Sequence, residues 1–319
     1  MKSDVSTDSK LQATPIARFA EQLREYYALT KPRVVGLIIF TAVVGMFLST
    51  TGMVGIDILV LGTLGIGLAA ASGAAMNQIL DRDADSVMKR TRNRPLPKGN
   101  LNALQAMVFA CILSMASMLI LAVFVNTLTA VLTFASMIGY AVIYTVFLKR
   151  ATPQNIVIGG AAGAMPPVLG WTAVTGEVTS DALLLFLIIF CWTPPHFWAL
   201  ALYREKDYAN VGIPMLPVTH GRRFTQLYIV CYTLLLAAVS IMPFATHMSG
   251  WLYLVGALVL NGIFIGYAIA LYRRYSDLLA RKTFIYSIQY LAWLFALMLV
   301  DHYREPMANI AISIVNFFA

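Results

Sequence analysis

Read by its hydrophobic and polar positions alone, the chain resolves into nine long apolar runs joined by short polar connectors. The runs cover about 33–50, 58–80, 103–124, 131–148, 156–174, 182–202, 225–245, 251–272 and 284–301. Each approaches the ~20 mostly apolar residues that an α-helix needs to cross a bilayer. They are too long and unbroken for the alternating strands of a β-barrel. The fourth and fifth runs are short. Pro166-Pro167 and Pro194-Pro195 fall inside the fifth and sixth, where they predict kinks whose freed carbonyls are satisfied by neighbours. Ahead of the first run, Ile16, Phe19, Ala20, Leu23 and Tyr27 recur at helical spacing beside Arg18, Glu21 and Glu25. That pattern suits a short helix lying in the membrane interface, although an ordinary cytoplasmic leader fits the same residues. The expectation is an all-α polytopic membrane protein of nine transmembrane helices. It divides into a leader at 1–25, a membrane domain at 26–302 and a short tail at 303–319.

Composition sharpens this picture. Of 319 residues 59% are hydrophobic and only 12% charged, with a mean hydropathy of +0.74. A soluble domain carries about 25% charged residues, so soluble enzymes, disordered chains and disulfide scaffolds are excluded. The net charge of +8 reports topology before any nucleic-acid partner. Of the 23 Lys and Arg, all but Arg304 lie before the first run or in alternate connectors. Basic residues prefer the cytoplasmic side, which predicts an inside N-terminus and an outside C-terminus. The first 15 residues lack the apolar core of a signal peptide, and Asp4 and Asp8 do not suit a transit peptide. A bacterial cytoplasmic membrane is the expected location. Cys111, Cys191 and Cys231 stand singly within apolar runs and read as packing residues.

Candidate chemistry gathers between the second and third runs. Asn77, Asp81 and Asp85 are four residues apart, a spacing that drifts only ~40° per step on a helix and aligns three oxygen ligands on one face. Asp83 stands ~200° from Asp81 and should face elsewhere. The crowded acids repel one another, and a divalent cation relieves this. Mg²⁺ suits a site that offers a few carboxylates and leaves room for water and phosphate. Lys89, Arg90, Arg92 and Arg94 follow at once, with arginine suited to bidentate phosphate contacts. A solvated, mixed-charge connector is the plainer reading, but acids within the last turns of a membrane helix are usually functional.

A second acidic locus, Tyr203-Arg-Glu205-Lys206-Asp207, follows the sixth run. Asn77 to Tyr203 and Asp81 to Asp207 share one offset, 126 residues, as in a degenerate duplication. Tyr144, Lys149 and Arg150 close the fourth run and fit either an interfacial belt or a site. His196, in Trp192-Thr-Pro-Pro-His196-Phe-Trp198, reads first as a hydrogen-bonded packing residue, with ligation of haem iron or a metal as the functional option.

These features together resemble the UbiA-type intramembrane prenyltransferases. Further strings resemble their haem-modifying branch: Leu29-Thr-Lys31-Pro-Arg33, Met88-Lys-Arg90-Thr-Arg92-Asn-Arg94-Pro, Tyr144 to Arg150, Gly159 to Trp171, Trp192 to Trp198 and Asp207 to Pro217. The resemblance runs from about residue 26 to 302. It implies nine helices around a central cavity open toward the cytoplasm. The implied reaction transfers the farnesyl group of farnesyl diphosphate to the 2-vinyl group of haem B, with addition of water, giving haem O. Asn77, Asp81 and Asp85 would hold Mg²⁺ against the diphosphate, and Asp207 would help to bind a second Mg²⁺. Arg90, Arg94, Lys149 and Arg150 would neutralise the leaving group, His196 would ligate haem iron, and Tyr144 would support the site. Tyr203 stands where the wider superfamily has an acid, which puts the second metal in doubt and leaves Glu205 as a substitute ligand. Implied partners are the lipid bilayer and a haem A synthase or terminal oxidase assembly, with no nucleic acid. The competing expectations are prenylation of an aromatic acid or quinone precursor and, from another class, a cation-coupled transporter.

Overall fold

The structure, a computed structural model, describes residues 15–318, with side chains described over 16–149 and 151–304. The leader expected at 1–25 therefore lies mostly outside the described residues. The described chain is helical, without strands: α1 (Pro15–Leu29), α2 (Pro32–Leu48), α3 (Ile56–Leu80), α4 (Arg82–Val87), α5 (Ala103–Val125), α6 (Thr127–Leu148), α7 (Asn155–Thr175), α8 (Ser180–Tyr203), α9 (Glu205–Asn210), α10 (Leu216–Ala245), α11 (Trp251–Arg273) and α12 (Asp277–Phe318). Eight of these are by themselves long and apolar enough to span a membrane. A ninth candidate span is α1 and α2 taken together, joined at a 54° bend. Residues 16–29, expected as an interfacial helix, form α1, most of which is exposed, its apolar residues Ile16, Phe19, Leu23 and Tyr27 included. The last helix continues to Phe318, well past the end of its apolar run near 301.

In lipid, helices associate through close packing and interhelical hydrogen bonds rather than through expulsion of water. The α3–α5 contact shows both. Gly65 and Ser72 of α3 are buried, Gly65 against Leu121 of α5; Ser117 Oγ donates to Gly65 O at 2.6 Å, and Ser72 Oγ donates to Ala110 O at 2.8 Å. Between α2 and α7 the backbones nearly touch. A Cβ on Gly170 would lie 1.8 Å from Ala42 O, and one on Gly45 would lie 2.2 Å from Pro167 O. The expected break at Pro166-Pro167 serves this contact, because the pair starts the second segment of α7 (Pro166–Thr175) after Met165. Pro194 and Pro195, by contrast, are absorbed within α8, which runs through to Tyr203.

Helix α8 is buried over most of its surface, packed against α7, α10 and α12, with Leu183 and Phe197 exposed, as expected for a helix apolar on nearly every face. At the end opposite the acidic motif, α12 closes the bundle onto the α2–α3 connector. His302 Nε2 hydrogen-bonds Thr50 O at 2.8 Å, and the Tyr303 hydroxyl donates to Phe47 O and Gly52 O, both at 3.0 Å. Asp301 accepts from the backbone N–H groups of Gly250 and Tyr253.

Candidate active site

Helix α3 ends at Leu80, and Asp81 takes up a non-helical cap conformation before α4 begins. The winding is nevertheless kept, because Asp85 N still donates to Asp81 O at 2.8 Å. Asn77, Asp81 and Asp85 are consequently all buried on one side, whereas the Asp83 side chain is 89% exposed, as the helical spacing predicts. Burying two carboxylates is costly unless each is paired. Each has a cation of its own. Lys149 Nζ lies 2.6 Å from Asp81 Oδ2, Arg94 pairs with Asp85, and Lys31 Nζ donates to Asn77 Oδ1. Asn77 Nδ2 adds a 3.0 Å hydrogen bond to Asp81 Oδ2, so Lys31, Asn77, Asp81 and Lys149 form one network beside the Arg94–Asp85 pair.

Helix α6 supplies the facing wall. From Gly139 to Leu148 it widens into a π-helix, a form that often accompanies functional sites. Asn77 Nδ2 donates to Thr145 Oγ1 at 3.3 Å and Asp81 pairs with Lys149, so the same four-residue step on α3 and α6 is matched at two levels. Thr145 Oγ1 in turn donates to Tyr140 O at 2.8 Å, and the Tyr140 and Tyr144 rings stack at 5.7 Å. Tyr144 also rests against Gly159, where a Cβ would meet its ring at 2.1 Å. The side chain of Arg150 lies outside the described residues.

Lys31 is the residue that sequence reasoning passed over as a topology charge. It sits at the α1–α2 junction with φ 51° and ψ 60°, an uncommon conformation for a side-chain-bearing residue. Gln78, next to Asn77, holds the turn by donating Nε2 to Ala28 O at 3.1 Å and Leu29 O at 3.0 Å. Burial above all, followed by the neighbouring Arg94 charge, lowers the Lys31 ammonium to about 7, with Asp81 and Asp85 opposing the shift. The only sequence signal was its place in the string Leu29-Thr-Lys31-Pro-Arg33.

The second locus differs from the first. Asp207 is largely buried and faces Arg204 Nη1 at 3.4 Å, while Arg204 also lies over the Tyr203 ring. Glu205 is engaged elsewhere: its carboxylate accepts from Arg222 Nε at 2.5 Å, and Arg222 lies over Tyr275 on the α11–α12 connector. Burial raises the Tyr208 hydroxyl, and the positive charge of Arg90 is the main influence opposing it, which brings Arg90 electrostatically to this second locus. Arg90 itself is exposed and forms no ion pair among the described residues.

His196 is buried two turns deeper in α8, stacked between Trp192 (4.2 Å) and Phe284 (4.6 Å). Its Nδ1 shares a 2.6 Å hydrogen bond with Ser287 Oγ, and Nε2 makes none among the described residues. Phe284 also packs edge-on against Tyr203, so one aromatic column links His196 to the second locus.

Among the described residues no three His, Cys, Asp or Glu side chains converge as a complete metal cage. The protein offers two carboxylates and one amide oxygen, a hard and incomplete donor set. This fits Mg²⁺, which completes its shell with water and substrate phosphate. A groove of about 580 Å³ lies away from the charges on the α2–α3 seam, lined by Ile39, Val43, Phe47, Leu59, Thr63 and Gly67.

Comparison with known proteins places this geometry. The UbiA prenyltransferase family matches residues 38–297. A protoheme IX farnesyltransferase of Nitrosospira multiformis is 60% identical over 284 residues, covering 89% of this chain and 95% of the relative. The fold also matches a digeranylgeranylglyceryl phosphate synthase structure with a TM-score of 0.75 at 18% identity, over 89% of this chain and 99% of that one. A UbiA homolog from Archaeoglobus fulgidus bound to DMAPP and Mg²⁺ matches with a TM-score of 0.58 at 16% identity, over 86% and 99%.

Proposed function

The chain belongs to the UbiA prenyltransferase family, and from that premise we propose that it transfers the farnesyl group of farnesyl diphosphate to the 2-vinyl group of haem B, with addition of water, to give haem O. The observation that carries this reading is 60% identity, across nearly the whole membrane domain, to a protein named for that reaction. The site supplies the chemistry. An allylic C–O bond breaks when the departing diphosphate is stabilised, and the new C–C bond forms at the vinyl carbon. Lys149 and Arg94, joined by Arg90 and Arg150, neutralise the diphosphate; Asn77, Asp81 and Asp85 are the residues that would hold Mg²⁺, with Asp207 in support. The bound metal supplies Lewis-acid charge neutralisation to the leaving group. With Glu205 engaged by Arg222, Asp207 is the acid of the second locus left to face the substrate.

A vinyl group needs no strong general base for its attack, which agrees with a site built from ion pairs rather than a nucleophile and its base. The surrounding helices shield an allylic cation from premature water. His196 Nε2 is the atom offered to haem iron. The one-sided distribution of Lys and Arg supports the site end facing the cytoplasm, and Asp4 and Asp8, which do not suit a transit peptide, support a bacterial cytoplasmic membrane. Haem O would pass to a haem A synthase or an oxidase assembly.

Expression in membranes supplied with farnesyl diphosphate, Mg²⁺ and haem, followed by product mass, tests the reading. Farnesylated haem that disappears in Asp81→Ala is the expected result. Prenylation of a hydroxybenzoate with haem untouched would overturn it, as would equal turnover by Asp81→Ala.

A further inference from the structure

We propose that Lys31 is a diphosphate ligand held in reserve on Asn77, and that metal and diphosphate therefore enter this site together rather than metal first. The inference rests on the family reading above and deepens it. Three observations carry it. Asn77, Asp81 and Asp85 are each engaged by a different cation, Lys31, Lys149 and Arg94. Lys149 and Arg94 already balance the two carboxylates, so even before Lys31 is counted the cluster has no net negative charge to draw in a bare divalent ion. Lys31 is also held in place with care. Its left-handed backbone is clamped by the two Gln78 hydrogen bonds to Ala28 and Leu29, and Pro32 starts α2 directly after it.

An ammonium has three donors and a flexible stem, whereas Asn77 Oδ1 takes up only one of those donors. When an anion and its counter-ion arrive together, Asn77 Oδ1 would be among the atoms holding the metal. The Lys31 ammonium, freed from that oxygen, would turn to the diphosphate oxygens. Lys149 and Arg94 make the same exchange from their carboxylates. Lys31 differs in that its partner is uncharged, so it has the least to give up and is the first to transfer.

The test uses the full chain in lipid nanodiscs, with Mn²⁺ followed by electron paramagnetic resonance and inorganic pyrophosphate as the anion. In the wild type, pyrophosphate should tighten Mn²⁺ binding by about tenfold or more, the scale of one charge-assisted hydrogen bond. In Lys31→Met, Mn²⁺ alone should bind more tightly than in the wild type, pyrophosphate should bind about tenfold more weakly, and KM for farnesyl diphosphate should rise while KM for haem stays put. Lys31→Arg keeps the charge and should restore pyrophosphate binding in part. Tight Mn²⁺ binding to the wild type without pyrophosphate would overturn the proposal, as would unchanged pyrophosphate affinity in Lys31→Met. If Lys31→Met proves unfolded, Lys31→Arg and the wild-type titration still decide. The binding readouts need neither haem nor turnover. Their success alongside absent haem product would refute the reaction while sparing Lys31, and the converse result would do the opposite.

Discussion

Replacing Lys149 with methionine removes a charge while keeping the length of the side chain, and its effect can be sized from the geometry. The ammonium lies 2.6 Å from Asp81 Oδ2, and the two side chains are only 14% and 9% exposed. Breaking a buried ion pair by removing one partner costs about 3–5 kcal/mol. The Asp81 carboxylate still keeps the Asn77 Nδ2 hydrogen bond at 3.0 Å, which reduces the expected loss to roughly 2–4 kcal/mol. For a chain of this size that is a fall of about 4–8 °C in apparent melting temperature. Turnover should fall by about 10²–10³, as when one fixed donor to a developing anion is lost. The assay is thermal unfolding of detergent-purified protein, with and without Mg²⁺, beside farnesyl transfer to haem. Mg²⁺ should stabilise Lys149→Met more than the wild type, because a cation has left the acids. Lys206→Met, at an exposed lysine without an ion pair among the described residues, serves as the control and should match the wild type. Melting within a degree of the wild type and turnover within threefold would show that the Lys149–Asp81 pair has no energetic role, and the charge argument for the site would fail with it.

Other substitutions test other parts of the molecule. Gly170→Ala places a Cβ 1.8 Å from Ala42 O, far inside ordinary contact. It should cost about 3 kcal/mol or more, read as a lower melting temperature, and a normal melt would disprove the close α2–α7 approach. Asp207→Asn should lower turnover about 10–100-fold while Glu205→Gln, whose carboxylate is occupied by Arg222, changes it far less; equal losses would show that both acids serve the substrate. His196→Phe preserves a ring between Trp192 and Phe284 but removes the nitrogen, so the Soret band of haem-loaded protein should shift without loss of fold. An unchanged spectrum would remove His196 as the iron ligand.

Much of the architecture was legible because lipid leaves a chain few options. Every spanning segment must satisfy its own backbone, so run length and basic residues between runs were enough to count helices. The face shared by Asn77, Asp81 and Asp85, with Asp83 turned out, followed from helical winding alone. Lys31 was hidden because its partner is 46 residues away, and its charge was indistinguishable from the cations that set topology. The partner of Glu205 was hidden in the same way: nothing local announces that Arg222, beyond Gly221 where the backbone leaves the helix with φ 79°, pairs with it. The prolines of α7 and α8 looked alike in sequence, yet one pair begins a segment and the other is carried inside a helix. Packing against different neighbours decides that outcome.

The π-helical end of α6 has a bearing on how this protein tolerates change. A π turn takes up one more residue than an α turn, so Gly139–Leu148 is in effect a stretch of chain carrying surplus length. Thr145 occupies that surplus by returning its hydroxyl to the carbonyl five residues back. Deleting a single residue here would remove that surplus, and with it the Thr145–Tyr140 bond that accompanies the placing of Thr145 against Asn77 and of Lys149 against Asp81. Many substitutions along the outward face should pass unnoticed in lipid, whereas the loss of any one residue should silence the enzyme. At this wall of the site, inheritance acts on the spacing of the chain more than on its spelling.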